Sequence, residues 1–295
     1  MKFVSKLTND SVVCSELRVK DYKEILKCTL GDEPDQNIFI ETICEVLEHT
    51  TNKPAEFFKT LSIVDLFLLL LDIRINSQGD SCKVVVTKDD KQMTLELQLD
   101  YIRDEAYELS KQFSNTTIKQ NNLEVGFECP SLARLVEQTE EDYLYFIKNF
   151  KTKKLVEIET NEQAKLLFDK LPAKVSLEII NKFEELVKGF SEHNFLSRYK
   201  LTEQQLAFIP SFSSLLWFIK LIFNEPLDVF YDNMFYLCHL GHLNSQYVEE
   251  SSVGEYMLYV SQLKRTLASK SQQSPEEQTV SEDDDNFDGH FEDEQ

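Results

Sequence analysis

Apolar and polar positions alternate along most of this chain, but between Ile63 and Ile75 the alternation stops. In IVDLFLLLLDIRI only Asp65, Asp72 and Arg74 are polar. A helix that is apolar on every side is a buried one, so the run predicts the central helix of a core. Ser62, with Asp65 three residues on, makes an N-terminal capping pattern in which the serine accepts from an early amide and the carboxylate answers it. Ser77, Gly79 and Asp80 form the expected exit turn, with Gly79 letting the backbone reverse. The run falls short of the roughly 20 residues that cross a bilayer, so no membrane span is expected.

Three helical patterns lead into this run. Val19, Tyr22, Ile25, Leu26 and Thr29 share one face of a helix over 18–29. Phe39, Ile43, Val46 and Leu47 mark a second over about 34–49, with Asp32 as cap and Pro34 in the first turn. A short third lies near 54–59. After Gly79 the period falls to two. Val84 and Val86 alternate with Val85 and Thr87, and Met93, Leu95, Leu97 and Leu99 with Thr94, Glu96 and Gln98, around the turn Lys88–Lys91. That is a β-hairpin with one wet face. A helix over about 101–113 follows, and Leu123, Val125 and Phe127 add a third strand to what reads as one small sheet over 80–130.

From Ser131 onward every pattern is helical. Thr139 and Asp142 form a capping box before Tyr143, Phe146, Ile147 and Phe150. Helices are expected over 161–171, ended by Pro172, over 175–189, over 202–209, over 214–223 and over 229–240, and a last one opened by Ser252 and Glu255 runs to about Leu267. The remainder is too poor in apolar residues to offset the entropy of ordering it, so disorder is expected from about Ala268. The chain thus reads as a mainly α, α+β protein with a small antiparallel sheet in its N-terminal half. Its expected divisions are 1–130, 131–267 and an acidic tail over 268–295.

Composition sharpens this picture. Only seven Gly and seven Pro in 295 residues argue against an all-β chain of tight turns. The net charge is −21, and it is uneven: no Lys or Arg follows Lys270, while ten carboxylates lie between Glu276 and Glu294. The remaining −11 still disfavours direct nucleic-acid binding, which needs a basic patch. The tail reads as a solubilising segment, as a late-docking assembly segment, or as a nucleic-acid mimic or guard on a basic surface. Six cysteines without a CxxC look like small buried apolar groups in a reducing compartment. The start, MKFVSKLTND, lacks the apolar stretch of a signal peptide.

Little here points to catalysis. There is no phosphate-binding or dinucleotide glycine motif, and the run Glu140–Asp142 suits a helix dipole. Cys238, His239 and His242 are the only cluster of metal-ligand types; Cys238 and His242, at i, i+4, would share a helix face, but no third and fourth ligand to join that pair is evident nearby. A core cysteine beside surface histidines outweighs a zinc site, and neither metal nor cofactor is expected. The aromatic series Phe208 to Tyr236 mixes core with interface candidates. Phe212, Trp217, Phe218, Phe223 and Tyr231 are the candidate partner contacts.

Two stretches carry a family resemblance. One is Arg18–Leu26 with Leu61–Asp80, where Tyr22-Lys23 leads into an apolar helix and the Ser77-Gln78-Gly79-Asp80 turn. The other is Leu221–Arg265, LIFNEPLDVFYDNMFYLCHLGHLNSQYVEESSVGEYMLYVSQLKR. Together these resemble the hub and hub-assembly proteins of T-even-type contractile phage baseplates. The resemblance implies structural work without catalysis, through contacts with other baseplate, hub or tail proteins. It implies a location in the host cytoplasm during assembly or in the virion tail baseplate. A metal-dependent enzyme using Cys238, His239 and His242, or a host-directed inhibitor using the tail, are the alternatives.

Overall fold

The computed structural model describes residues 2–4, 11–30, 36–88, 91–113, 116–129, 131–134, 143–191, 219–220 and 222–272. In chain order the elements are β1 (Lys2–Val4), β2 (Ser11–Val13), α1 (Val19–Cys28), α2 (Gln36–Thr50), α3 (Ala55–Thr60) and α4 (Ile63–Gln78), then β3 (Ser81–Lys88), β4 (Lys91–Gln98) and α5 (Leu99–Phe113). They continue with β5 (Thr116–Gln120), β6 (Leu123–Phe127), β7 (Leu144–Asn149), β8 (Lys154–Glu157), α6 (Asn161–Phe168), α7 (Ala173–Ser191), α8 (Leu227–His239), α9 (Ser245–Glu250) and α10 (Val253–Gln272). The mainly helical α+β class is the one the patterning predicts.

The apolar run is α4, buried on all sides from Val64 to Leu71 as its lack of a polar face requires. Ser62 Oγ accepts from the Asp65 amide at 3.0 Å. Gly79 closes the helix at φ 86° and ψ 173°, a region open essentially to glycine alone. Nothing lies within 4 Å of where its Cβ would stand, so glycine is required there by conformation and not by crowding.

Beyond α4 the strands divide differently from the expected single sheet. The described strands form three sheets: β1-β2, β3-β4, and an antiparallel meander β5-β6-β7-β8. β6, the expected third strand, therefore joins β5 and β7 and not the hairpin. The helix expected at Tyr143–Phe150 is strand β7. Its i, i+3, i+4 apolar spacing fits a helix, but pairing with β6 wins, and Gly126 is the local reason. Gly126 faces Phe146 in the register, and a side chain there would collide with the Phe146 ring. Short apolar runs are ambiguous until a partner strand is known. The expected caps Asp32, Thr139 and Asp142, the tip of the hairpin turn and the helix over 202–209 lie outside the described residues.

Segments distant in sequence share backbone hydrogen bonds. Leu132 N donates to Leu61 O at 3.2 Å and Ala133 N to Lys59 O at 2.9 Å, tying the β6–β7 connection to the end of α3 and the residues that lead into α4. The Val19 amide donates to Ser251 O (3.0 Å) and the Val253 amide to Leu17 O (2.9 Å), which joins the starts of α1 and α10. This explains why Arg18 needs no side-chain cap: the orphan amide of α1 is satisfied by a distant carbonyl. The last helix opens with the expected reciprocal box. Glu255 N donates to Ser252 Oγ, and Ser252 N to a Glu255 carboxylate oxygen, both at 3.2 Å. It runs to Gln272, five residues past the expected end at Leu267, so Ala268–Gln272 is helix where disorder was expected. α9, which the patterning missed, is capped by Asn244, whose Oδ1 accepts from Gln246 N at 2.8 Å. Buried apolar residues from Val12 to Tyr256, on both sides of position 130, belong to one core.

Candidate functional site

The exit turn of α4 is held by Arg74, the basic residue near the end of the apolar run. Its side chain is 5% exposed. Nε donates to Ile222 O at 2.7 Å, Nη1 to Gly79 O at 2.9 Å and Nη2 to Ser81 O at 3.4 Å. Burial holds the guanidinium below its ordinary pKa, as expected for a charge whose partners are carbonyl dipoles and not a carboxylate. One planar fork thus joins helix end, hairpin start and C-terminal segment. Ser77 adds a tie to the chain start, its Oγ accepting from Leu17 N at 3.0 Å. Asp80 acts through its backbone, its carbonyl accepting from Leu99 N at 2.7 Å across the base of the hairpin. The expected turn residues Ser77, Gly79 and Asp80 are thus each tied to another part of the chain, and Arg74 holds the turn at Gly79 O and Ser81 O.

Next to this junction Tyr22 of α1 is covered from the C-terminal side. Its ring lies 6.1 Å from Phe223 and 6.0 Å from Phe230, and Phe230 lies 5.5 Å from Tyr256. Phe223, a candidate partner contact by sequence, is instead 2% exposed, because its ring fills the space over Tyr22. Glu225 sits at the edge of this cluster. Its Oε1 accepts from Asn233 Nδ2 at 3.1 Å and from the Tyr256 hydroxyl at 3.3 Å, while Oε2 is buried and within hydrogen-bond distance of no partner among the described residues. Burial raises the Glu225 carboxyl above its usual range.

The outer face of α8 has the opposite character. Phe230, Asn233 and Leu237 point inward, at the i, i+3, i+7 spacing of one face. Tyr231, Phe235 and Tyr236 are 47%, 56% and 43% exposed. Phe235 stacks on His239 at 4.1 Å and meets Tyr236 edge-on at 5.9 Å. The exposed Asp228 and Asp232 lie on the same side. Of the candidate contacts, Tyr231 is on this face, and Phe212, Trp217 and Phe218 lie outside the described residues. Phe235 and Tyr236 belong to the same aromatic series and were not singled out. The two aspartates on their side of the helix were the available signal.

The Cys238, His239 and His242 cluster does not assemble. α8 ends at His239, and the Gly241 amide turns back to Tyr236 O at 3.0 Å, so Cys238 and His242 share no helix face. Among the described residues no group of three His, Cys, Asp or Glu side chains is placed to hold a metal. Burial pushes the thiols of Cys28 and Cys129 up to about 12 and that of Cys44 to about 11, so these are unreactive apolar fillers at neutral pH. No described helix is long and apolar enough to cross a membrane.

These features define an α+β protein with a pinned helix exit and an aromatic outer helix face. The chain belongs to the family described as T4 bacteriophage base plate protein, whose model matches residues 1–195. It is a phage baseplate protein, and its partners are other phage tail proteins. No curated protein and no solved structure matches it. The residues that cover Tyr22 and bind Arg74, from Ile222 to Tyr256, lie beyond the matched region.

Proposed function

We propose that this protein is a component of the baseplate hub, or an assembly factor for it, and that it works by protein contact and not by catalysis. The aromatic face of α8 is its binding surface. The observation that carries this reading is the exposure of Tyr231, Phe235 and Tyr236 on a helix whose other face is fixed in the core by Phe230 and Leu237. Large aromatics on a rigid element lose little entropy on binding and dominate interface energetics. Membership of the baseplate family supports tail proteins as the occupants. Assembly in the host cytoplasm, before incorporation into the tail, follows from the same reading.

Mass spectrometry of purified virions and of tail-assembly intermediates tests it. Presence in virions identifies a hub component, and presence in intermediates alone identifies an assembly factor. Absence from both refutes the proposal.

A further inference from the structure

The β7–β8 turn stands out against the acidic balance of the molecule. In a chain of net charge −21 it carries Lys148, Lys151, Lys153 and Lys154 with no carboxylate between them. All four are exposed, and none is ion-paired among the described residues. The turn is built. Asn149 Oδ1 accepts from Lys151 N at 3.0 Å and Thr152 N at 3.1 Å, Lys153 takes a left-handed φ of 55°, and Phe150 N donates to Asn122 O at 2.7 Å. That last bond holds the tip beside the β5–β6 turn, where Lys119 pairs with Glu124 at 3.1 Å. Phe150 and Leu155 are 45% and 51% exposed among these lysines, and Lys148 Nζ lies 5.4 Å from the centre of the Phe150 ring. β8 is an end strand of its sheet, with no further strand paired to it among the described residues.

We propose that this lysine tip is the docking site of the chain's own acidic C-terminal segment, Glu276–Glu294. Charge complementarity selects that occupant: ten carboxylates without one Lys or Arg meet four lysines that make no ion pair among the described residues, since Glu124, which faces Lys148 across the β6–β7 register, pairs with Lys119. Phe287 and Phe291 stand among those carboxylates and supply apolar groups to set against Phe150 and Leu155. Reach is sufficient. The 23 residues after Gln272 extend to about 75 Å, against a radius of gyration of roughly 19 Å for a compact chain of this length. Docked there, the segment screens a basic, aromatic tip that would otherwise attract polyanions. A tail protein that binds the tip must displace it.

Zero-length carbodiimide cross-linking of the full chain reads this contact, since it condenses a carboxylate with an amine only where the two meet. At low salt, amides from Glu276–Glu294 should be enriched roughly tenfold at Lys148, Lys151, Lys153 and Lys154 over the exposed Lys83, Lys170 and Lys174. The enrichment should vanish at about 1 M salt, where the Debye length is about 3 Å. Mixing isotope-labelled and unlabelled protein shows whether the segment comes from the same molecule, as proposed; cross-links that form only between copies overturn the proposal. A Lys148→Gln, Lys151→Gln, Lys153→Gln, Lys154→Gln variant should speed cleavage of the segment by a glutamate-specific protease while leaving cleavage of the folded body unchanged. Even cross-linking across all exposed lysines, or unchanged cleavage in the variant, overturns the proposal. Tight binding of the intact chain to a duplex oligonucleotide through these four lysines overturns it too, because the tip would then be open to nucleic acid.

Discussion

Arg74 and Ile222 are 148 positions apart in sequence and 2.7 Å apart in space, with guanidinium Nε donating to the carbonyl oxygen. The bond places a charged side chain from an almost wholly apolar helix against a carbonyl in the C-terminal half of the chain. Arg74→Met would strand buried carbonyls of Ile222 and Gly79 and should cost roughly 2–4 kcal/mol. Arg74→Lys, which keeps charge but cannot fork to three acceptors, should recover at most half of that. Urea unfolding midpoints check both.

Gly79 should be intolerant of any side chain although there is room for one. Gly79→Ala is expected to destabilise by about 1–3 kcal/mol through backbone strain alone. Gly79→Val should lose solubility or assembly. An alanine variant as stable as the parent would show that the turn adopts another conformation.

Gly126 makes the contrasting case, in which space is the constraint. Gly126→Ala should force β6 and β7 apart and cost about 1–3 kcal/mol. Shortening the ring as well, with Phe146→Leu, should return part of the loss. A double-mutant cycle with no coupling between the two positions would contradict the packing described for them.

Glu225 predicts a pH dependence. Its folded pKa is raised by burial, so the folded state holds the proton more tightly than the unfolded chain does. Stability from this group is greatest below the ordinary carboxylate range and is lost as pH rises through that range toward the raised value. Glu225→Gln removes the term. The variant should gain on the parent in thermal midpoint as pH rises above about 4, the ordinary carboxylate value. A constant difference across that range would contradict the raised value.

The aromatic face of α8 should separate binding from stability. Tyr231→Ala and Phe235→Ala should each change unfolding free energy by less than about 0.5–1 kcal/mol, because both rings are about half exposed. Together they should weaken association with the tail partner by about 30-fold or more, the scale of a hot spot worth about 2 kcal/mol. Equal affinity of parent and variant in a pull-down from tail-assembly intermediates would move the binding surface elsewhere.

Local chemistry was legible in the chain itself. The serine caps of α4 and α10, the glycine that ends α4, the all-apolar character of that helix and the period-two hairpin depend on residues within a few positions of one another. They form wherever the chain places them, and the family resemblance rested on the same stretches. What tertiary structure decided depends on partners that no local pattern encodes. Tyr143–Phe150 is a strand because β6 is beside it and Gly126 leaves room for a ring. Phe223 is core because its ring lies over Tyr22 of α1, and Phe230 is core while Tyr231 and Phe235 are surface because α1 covers one side of α8 and leaves the other bare. Arg74 is the centre of a junction and not a break in a helix because Ile222, Gly79 and Ser81 bring their carbonyls to it. Propensity and capping act over a turn of helix. Burial and hydrogen-bond satisfaction act across the whole fold, and they assigned these side chains their roles.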